Sequence, residues 1–318
     1  MDITSLRGTI GYPDFRRARP CGFCLVSEAT LPEETGALLR DACSSRRVPF
    51  EKLTAKAFDF DPLKRLEAGD LLYNAAVSTA GFRVEQFLFA PGVATFHAAQ
   101  DGVYFSVRSQ TLLAESAGIP IPRTVYLASS QPAHLERRVE RVGGFPVVVK
   151  VLGRFGGIGV MLAESTASLR SLVDYVIAQG HNPLLCELVP DAAHWRVVVL
   201  GRQVIATYRN KQSAGDFRSA GSKDPEIFRA VPPALVIEVA LRAAVACRLE
   251  FAGVDVLEDR GGNVRFLEAN FPFYYPHAQL HGGVDIAGQM VDYLLAKAER
   301  LATGPPGLAP NGICDARH

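Results

Sequence analysis

Short apolar runs alternate with amphipathic stretches from the start of the chain onward, and this alternation limits the fold more than any other sequence feature. Strands that alternate with helices form a parallel sheet with helices on its faces. The pattern therefore predicts an N-terminal α/β domain over residues 21–103, after an arm of residues 1–20 without periodicity. Its predicted elements are Gly22–Ser27, Pro32–Arg46, Asp70–Asn74, Phe82–Phe89 and a strand near Val93–Phe96.

Two further units follow, over residues 104–186 and 187–302, and the proline- and glycine-rich tail of residues 303–318 is predicted to be disordered. The later unit contains short turns between apolar runs, which predict antiparallel hairpins. The predicted strands are Arg123–Ala128, Phe145–Val151, Gly159–Ala163, Leu184–Glu187, Trp195–Leu200, Gln203–Arg209, Ala252–Leu257 and Val264–Glu268. The predicted helices are Ser106–Ala117, Pro132–Arg141, Ser165–Gln179 with Ser165 as N-cap, one with Pro233 in its first turn, and Asp285–Ala298.

The composition removes several classes of function. The chain has 318 residues, 48% of them hydrophobic, and a formal net charge of +1. It can therefore build a large core, but it lacks the basic character of a general nucleic-acid or membrane-surface binder. No apolar run is long enough to span a bilayer, and no secretory pattern opens the chain. Cys21 and Cys24 lack the second pair that zinc requires, so the cysteines are expected to be reduced in a cytoplasmic protein.

Residues 145–164 join an apolar strand to a glycine-rich loop, with Lys150 at the end of the strand. Glycines allow backbone N–H groups to approach phosphate oxygens closely, and a lysine adds positive charge for the same phosphates. The segment has neither the G-x-G-x-x-G of a dinucleotide fold nor the G-K-[ST] of a P-loop. A simple glycine-rich hairpin with a surface lysine is the alternative interpretation. The loop glycines are Gly153, Gly156, Gly157 and Gly159.

The predicted hairpin of residues 252–273 brings three oxygen-bearing side chains together. Asp255 lies on its first strand, while Glu268 and Asn270 lie two residues apart on its second strand and so share a face. Mg²⁺ prefers such ligands, usually shared with substrate phosphates. Two solvated acids are the alternative, but apolar neighbours such as Val254 and Phe266 favour a partner for the carboxylates.

A polar stretch, residues 209–224, separates a predicted strand from a predicted helix. It contains Arg209, Lys211, Arg218 and Lys223. Long polar loops in compact domains tend to be binding loops or lids, although a solvated loop is an equally good interpretation of this stretch alone.

Together, these segments resemble the ATP-grasp superfamily. The lysine and glycine loop is followed, in the family's order, by C-E-L-V at 186–189, W-R-V-V-V-L-G at 195–201, G-D-F-R-S at 215–219, the D…E-x-N hairpin and V-D-I-A-G-Q-M at 284–290. Within roughly residues 100–300, the chain is most similar to ribosomal-protein-modifying (RimK-like) and lysine-biosynthesis (LysX-like) carboxylate–amine ligases. The resemblance implies an ATP-grasp fold, in which the N-terminal α/β domain precedes two α+β subdomains that clamp ATP.

The resemblance also implies ATP and Mg²⁺ as cofactors, with Mn²⁺ as an alternative metal. The metal ligands would be Asp255, Glu268 and Asn270. The cations that neutralise the acyl phosphate or the transferred phosphoryl group would be Arg218, Arg209 and Arg196. The nucleotide-binding residues would be Lys150, Gly153, Gly156, Gly157, Ile158, Gly159, Glu187, Leu188 and Val189.

Three positions depart from the family pattern. A phosphate-binding lysine is usual near residue 107, where this chain has Val107, so Arg108 is the candidate substitute. His194 stands where an acid commonly precedes the arginine of a D-x-R element, and Ala220 stands where an asparagine follows D-F-R-S. These changes leave ATP binding credible and the substrate undefined.

The resemblance implies that a small, amino-acid-like carboxylate is activated by ATP and joined to an amine. Specificity is expected from the N-terminal domain, including Tyr73–Arg83, and from the aromatic loop after Asn270, with His277 and His281 as candidates for accepting the amine proton. Ring closure within one molecule, phosphorylation without ligation and a non-catalytic nucleotide-binding module stay open as alternatives. A homodimer or homotetramer is also left open.

Overall fold

The computed structural model describes residues 21–28, 32–104, 109–151, 157–212, 215–220 and 224–303. The predicted N-terminal arm and all but the first residue of the predicted disordered tail lie outside these ranges. Within them, no helix combines the length and apolarity needed to cross a membrane. No disulfide bond joins the cysteines within these ranges.

The N-terminal domain is built on a three-stranded parallel sheet of order β2-β1-β3, which confirms the predicted arrangement. Strand β2 was not predicted, because Glu51 and Lys52 interrupt its apolar pattern at the sheet edge. The predicted strand at Val93–Phe96 is wrong: only an isolated bridge joins Ala94 to Leu71. This segment is mostly apolar because it is buried in the core, not because it forms a strand. The elements are β1 (Phe23–Ser27), α1 (Glu33–Ser45), β2 (Phe50–Thr54), β3 (Leu71–Asn74) and α2 (Thr79–Leu88).

The central part of the chain forms a four-stranded antiparallel sheet of order β4-β7-β5-β6. Ser165 caps the helix that follows β6, as predicted, because its hydroxyl accepts a hydrogen bond from the Ser168 N–H. The helix predicted over Ser106–Ala117 is present as α3 (Gln110–Ser116), and its predicted first residue lies outside the described residues. The elements are α3 (Gln110–Ser116), β4 (Thr124–Tyr126), α4 (Pro132–Val142), β5 (Val147–Lys150), β6 (Val160–Ala163), α5 (Thr166–Ala178) and β7 (Leu184–Glu187).

The last part forms a five-stranded antiparallel sheet of order β10-β9-β8-β11-β12. Both predicted hairpins are present. Pro233 immediately precedes helix α6 rather than lying in its first turn. Helix α7 was not predicted, since it follows an aromatic stretch without helical periodicity. The elements are β8 (Ala193–Leu200), β9 (Gln203–Gln212), β10 (Ser219–Ala220), α6 (Ala234–Ala246), β11 (Phe251–Glu258), β12 (Val264–Asn270), α7 (Pro276–Gly282) and α8 (Ile286–Thr303).

The hydrophobic core unites two of the three sheets. Leu25 and Tyr73 of the N-terminal sheet belong to the same buried cluster as Val198 and Phe251 of the five-stranded sheet and Met290 of α8. The four-stranded sheet has a separate core. The other face of the five-stranded sheet packs on α6. Successive side chains along a strand point to opposite faces of the sheet. In the strands whose apolar side chains pack under α6, the residues that alternate with these therefore lie on the other face of the sheet.

A buried lysine ties α8 to the rest of this shared core. The Lys297 ammonium group donates hydrogen bonds to the carbonyl oxygens of Thr95 and His97 at 2.9 and 2.7 Å, and it pairs with the Glu250 carboxylate. Its side chain is 6% exposed. Burial lowers the pKa of Lys297, and the hydrogen bond to Glu250 acts in the opposite direction. The lysine therefore links the segment around Thr95 and His97, which is outside the helices and strands of the N-terminal domain, to helix α8.

Replacing Lys297 by methionine should destabilise the protein by about 3 kcal/mol, because the change keeps the side-chain length but leaves Glu250 and two buried carbonyls without their donor. Urea unfolding followed by circular dichroism measures this change in the free energy of unfolding. Lys56→Met, at an exposed position, is the matched control and should change it by less than about 0.5 kcal/mol. Equal stabilities of the two variants would contradict the structural role of Lys297.

Candidate active site

A cavity of about 990 Å³ lies where the three sheets meet. Residues predicted from separate segments of the sequence line this one space. They are Lys150, Gly157, Ile158, Glu187, Leu188, Val189, Arg196, Arg218, Asp255, Glu268 and Asn270. Ligand sites are typically concave, with a few polar groups converging on apolar walls. The cavity is therefore the candidate active site.

Two of the predicted residues that the structure describes, Arg209 and Gly159, are not among those that line it. Gly153, Gly156 and Arg108 lie outside the described residues. Arg209 is exposed and is paired across the ladder with Trp195, which packs toward α6. The prediction that Arg209 faces the site is therefore wrong. Its neighbours on β9, Tyr208 and Asn210, line the cavity, and strand alternation turns Arg209 to the other face of the sheet. Gly159 lies in the turn before β6.

Asp255, Glu268 and Asn270 converge as the hairpin pattern predicts. The β11–β12 register places Asp255 directly opposite Glu268. The Asn270 side-chain amide donates to Oδ2 of Asp255 and to Oε1 of Glu268, both at 2.9 Å. One atom therefore contacts an oxygen of each carboxylate, so these two oxygens lie around a common point.

Asp255 is also held by two partners on β8, Arg196 and His194. Arg196 donates to its two carboxylate oxygens at 2.6 and 2.8 Å, and Nε2 of His194 lies 3.0 Å from Oδ1. Asp255 is only 2% exposed. Burial acts to raise the pKa of Asp255, but the charges and hydrogen bonds of Arg196 and His194 outweigh it and hold the pKa below its ordinary value of 3.8. The carboxylate is therefore ionised at neutral pH.

The chemistry of this donor set fits Mg²⁺. No group of three His, Cys, Asp or Glu side chains within the described ranges could by itself hold a metal ion, so zinc-type coordination has no counterpart there. The set offers instead two carboxylates and an amide, the hard oxygen ligands that Mg²⁺ accepts. Asp255 is anchored, whereas Glu268 is exposed to the cavity.

The glycine turn and Lys150 line the same cavity and belong to the four-stranded sheet and the turn that follows its strand β5. Strand β5 ends at Lys150, and the Val151 N–H donates to the Gly159 carbonyl at 2.9 Å to close the turn. Gly157 and Gly159 have φ of +76° and +77°, a left-handed conformation that favours glycine. The turn therefore needs glycine at these two positions, and it brings backbone close to the lysine.

The G-D-F-R-S segment links the five-stranded sheet, which it joins at Ser219 on β10, to the glycine turn of the four-stranded sheet. Arg218 donates to the Gly157 carbonyl at 3.1 Å and pairs with Asp216. Hydrogen bonds from Arg218 lower the pKa of Asp216 to about 2. Phe217 packs with Val148 and Cys186 on the cavity face of the four-stranded sheet. Sequence analysis missed Phe217, although an aromatic residue inside a charged loop was a usable signal.

Glu187 lies at the predicted adenine position, but its carboxylate has other partners. It pairs with Arg123 and, at 3.3 Å, with Arg265. The side chain is therefore part of a salt-bridge cluster. The β7 ladder ends at Glu187, so the backbone of Leu188 and Val189 begins the connection between the two sheets and borders the cavity.

The N-terminal domain supplies the third wall. Glu28 and Val77, which follow β1 and β3, line the cavity together with Thr35 and Tyr73. Ligands of parallel sheets bind outside the carboxyl ends of the strands, a rule that could have found Glu28. From the aromatic loop, Phe273 and Tyr274 line the cavity, and so does His277.

Comparison with known proteins places this architecture. Residues 106–294 match the family model described as the RimK-like ATP-grasp domain. The chain belongs to the RimK-like ATP-grasp family. The family resemblance and the ATP-grasp fold predicted from the sequence are thereby confirmed.

The individual relatives and solved structures have low sequence identity to this chain. A probable alpha-L-glutamate ligase of Psychromonas ingrahamii is 31% identical over 190 residues, which are 59% of this chain and 62% of that protein. The match thus spans less than two thirds of the relative's length. D-cycloserine synthetase DcsG superposes with a TM-score of 0.68 at 15% identity, over 87% of this chain and 99% of that one. A RimK domain ATP-grasp protein of Sphaerobacter thermophilus gives 0.64 at 20% identity, over 86% and 100%. At these identities, the structural likeness concerns the fold.

Asp255→Asn should lower the free energy of unfolding by about 3 kcal/mol, because it leaves the half-buried Arg196 guanidinium without its paired carboxylate. Chemical denaturation at neutral pH measures the loss. Asp216→Asn removes an arginine-paired carboxylate at the surface and should leave the unfolding midpoint unchanged. The pKa of folded Asp255 lies below 3.8, so the pair stabilises fully above that pH and its contribution is lost as the pH falls through the lower folded value. A variant as stable as the wild type would contradict this account of the pair.

Proposed function

We propose that this protein is an ATP-dependent carboxylate–amine ligase, which activates a small carboxylate as an acyl phosphate and joins it to an amine with release of ADP and phosphate. One observation carries the proposal: Lys150, the glycine turn and the Asp255–Glu268–Asn270 hairpin line a single cavity. Phosphate-binding and metal-binding chemistry thus border the same space, as phosphoryl transfer requires.

The proposed roles follow the charges around the cavity. Lys150 and Arg218 neutralise phosphate oxygens, and Asp255, Glu268 and Asn270 hold Mg²⁺ or Mn²⁺. When bound, the metal supplies further positive charge for the phosphate oxygens. Arg196 acts through Asp255, because both its hydrogen bonds to that carboxylate fix the direction of the oxygens. Fixed charges of this kind stabilise a transition state without reorganisation.

The adenine site lies between the sheets. Val148, Cys186, Leu188 and Phe217 form an apolar cluster beside Lys150, which suits the faces of a purine ring. The backbone of Leu188 and Val189 offers N–H and C=O groups at its edge. In this proposal the Glu187 side chain serves the fold, through Arg123 and Arg265.

The chemistry consists of two transfers. A substrate carboxylate oxygen attacks the γ-phosphorus of ATP and ADP leaves. The amine nitrogen then attacks the acyl carbon, phosphate leaves, and the nitrogen loses a proton. Water would hydrolyse the intermediate, so the site must be closed during the reaction. The contact from Arg218 to Gly157 supports a closing role for the G-D-F-R-S segment.

The substrates are proposed to be small molecules, with L-glutamate as the first candidate because the relatives are named as probable glutamate ligases. A screen of amino acids and small acids for ADP release, with product masses determined, tests the proposal. Ligation predicts ADP release that requires both an acid and an amine. ADP release without an added amine would indicate ring closure or phosphorylation instead, and no release with any pair would contradict the proposal.

Glu268→Gln should lower the rate of amide formation by at least about 100-fold, which is the effect expected when charge stabilisation at an active site is lost. The unfolding midpoint should stay the same. The variant keeps the shape of the side chain but removes a charge from the metal site. Glu258→Gln is the matched control on the same hairpin, because it accepts a hydrogen bond from Trp195 that an amide oxygen can also accept, and it should retain activity. Near-normal turnover by Glu268→Gln would refute the metal assignment.

A further inference from the structure

A second cavity, of about 450 Å³, lies between helix α4 and the chain at the end of strand β4. Within the described ranges, no residue lines both this cavity and the candidate active site. Leu135 and Val139 of α4 pack with Val149 in the core of the four-stranded sheet, whereas the neighbouring Val148 lines the active-site cavity. The second cavity therefore lies on the side of this sheet that faces away from the active site.

Basic side chains form the whole α4 flank of this cavity. His134, Arg137, Arg138 and Arg141 line it, and their spacing of i, i+3, i+4 and i+7 places them on one face of the helix. Like charges three or four residues apart destabilise a helix. Arg141 lies in the last turn, where the helix dipole favours a cation, but Arg137 and Arg138 precede that turn. The cluster therefore has a reason other than helix stability.

The acidic residues of α4 do not neutralise this cluster. Glu136 and Glu140 lie four residues apart on a different flank of the helix, and neither lines the cavity. Within the described part of the chain, none of the three lining arginines forms an ion pair. By contrast, Arg170 on the neighbouring helix α5 pairs with Asp174. Guanidinium groups are charged at neutral pH, so three positive charges border one cavity and no described acid compensates them.

We propose that this second cavity binds a small molecule that carries at least two phosphate groups. A guanidinium group matches phosphate oxygens with two parallel hydrogen bonds. Arg137 and Arg141 are only about 6 Å apart along the helix axis, so the charges that they offer are concentrated. Phosphate groups concentrate negative charge in the same way. Ser129 adds a hydroxyl on the loop side of the cavity, 3.3 Å from Nδ1 of His134. The inference goes beyond the proposed ligase function and does not rest on it.

Titration calorimetry with pyrophosphate, in buffer without divalent metal, tests the second cavity. The protein used is the Lys150→Met variant, because Lys150 of the active-site cavity would attract the same anion. Replacing Arg138 and Arg141 together by glutamine in this protein should raise the Kd about 100-fold, since each lost charge-assisted contact is expected to cost about 10-fold. Replacing both by lysine should restore part of the affinity, because lysine keeps the charge but lacks the planar fork.

Arg170→Gln, made in the same Lys150→Met protein, is the matched control. Arg170 is an exposed arginine on a helix that packs on the same sheet, and it lines neither cavity. This change should leave the Kd for pyrophosphate unaltered. Without the anion, the variants at Arg138, Arg141 and Arg170 should all unfold at the midpoint of the Lys150→Met protein, because surface substitutions of this kind have small effects on stability. A difference in binding then reports the cavity and not the fold.

Inorganic polyphosphates and phosphorylated metabolites present the same chemistry, so pyrophosphate is compared with fructose 1,6-bisphosphate. Tighter binding of the sugar bisphosphate, lost in the glutamine variant of Arg138 and Arg141, supports the site and assigns it to a metabolite. Tighter binding of pyrophosphate, lost in the same way, supports it and assigns it to an inorganic anion. Equal Kd values for that variant and for Arg170→Gln, or binding of a triglutamate peptide with no binding of either phosphate compound, would overturn the phosphate site.

Discussion

The ion pair between the half-buried Arg196 and the buried Asp255 is the interaction on which the site depends. An ionised carboxylate at the centre of a sheet is unfavourable unless charged partners surround it, and Arg196, His194 and Asn270 supply hydrogen bonds to it. Gly253 makes the arrangement possible, because a Cβ at that position would lie 2.7 Å from a guanidinium nitrogen of Arg196 and 2.8 Å from the Phe273 ring. The sheet thus holds a fixed negative charge, and the rest of the site is arranged around it.

The departure at His194 gains a physical meaning from this pair. The family pattern commonly has an acid two residues before this arginine, whereas here an imidazole contacts the same carboxylate oxygen as Arg196 does. A second acid in that place would add negative charge beside Asp255. The histidine instead offers a donor, and Asn210 also contacts its ring. The strand therefore carries only partners that favour the ionised form of Asp255.

Sequence analysis recovered features set by local pattern and missed those set by tertiary contacts. The strand alternation that aligned Glu268 with Asn270 is local, and the structure brings both to Asp255. The same alternation, applied to β9, would have turned Arg209 away from Tyr208, but its charge drew attention to the wrong face. The partners of Glu187 could not be read from the sequence, since Arg123 and Arg265 come from distant segments. The apolar run at Val93–Phe96 misled because burial and strand formation leave the same signature in a short run.

The continuous core shared by the N-terminal sheet and the five-stranded sheet has a mechanical consequence. Breaking that core would expose Tyr73, Phe251 and Met290 together, so these two parts form one packed unit. The four-stranded sheet has its own core, so a movement of this sheet would leave the shared core intact. Such a movement would change the distance from Lys150 to the Asp255 hairpin, whereas the spacing between the N-terminal wall of the cavity and that hairpin would stay constant. A molecule held between the wall and the hairpin would therefore keep its position while the cavity opens or closes.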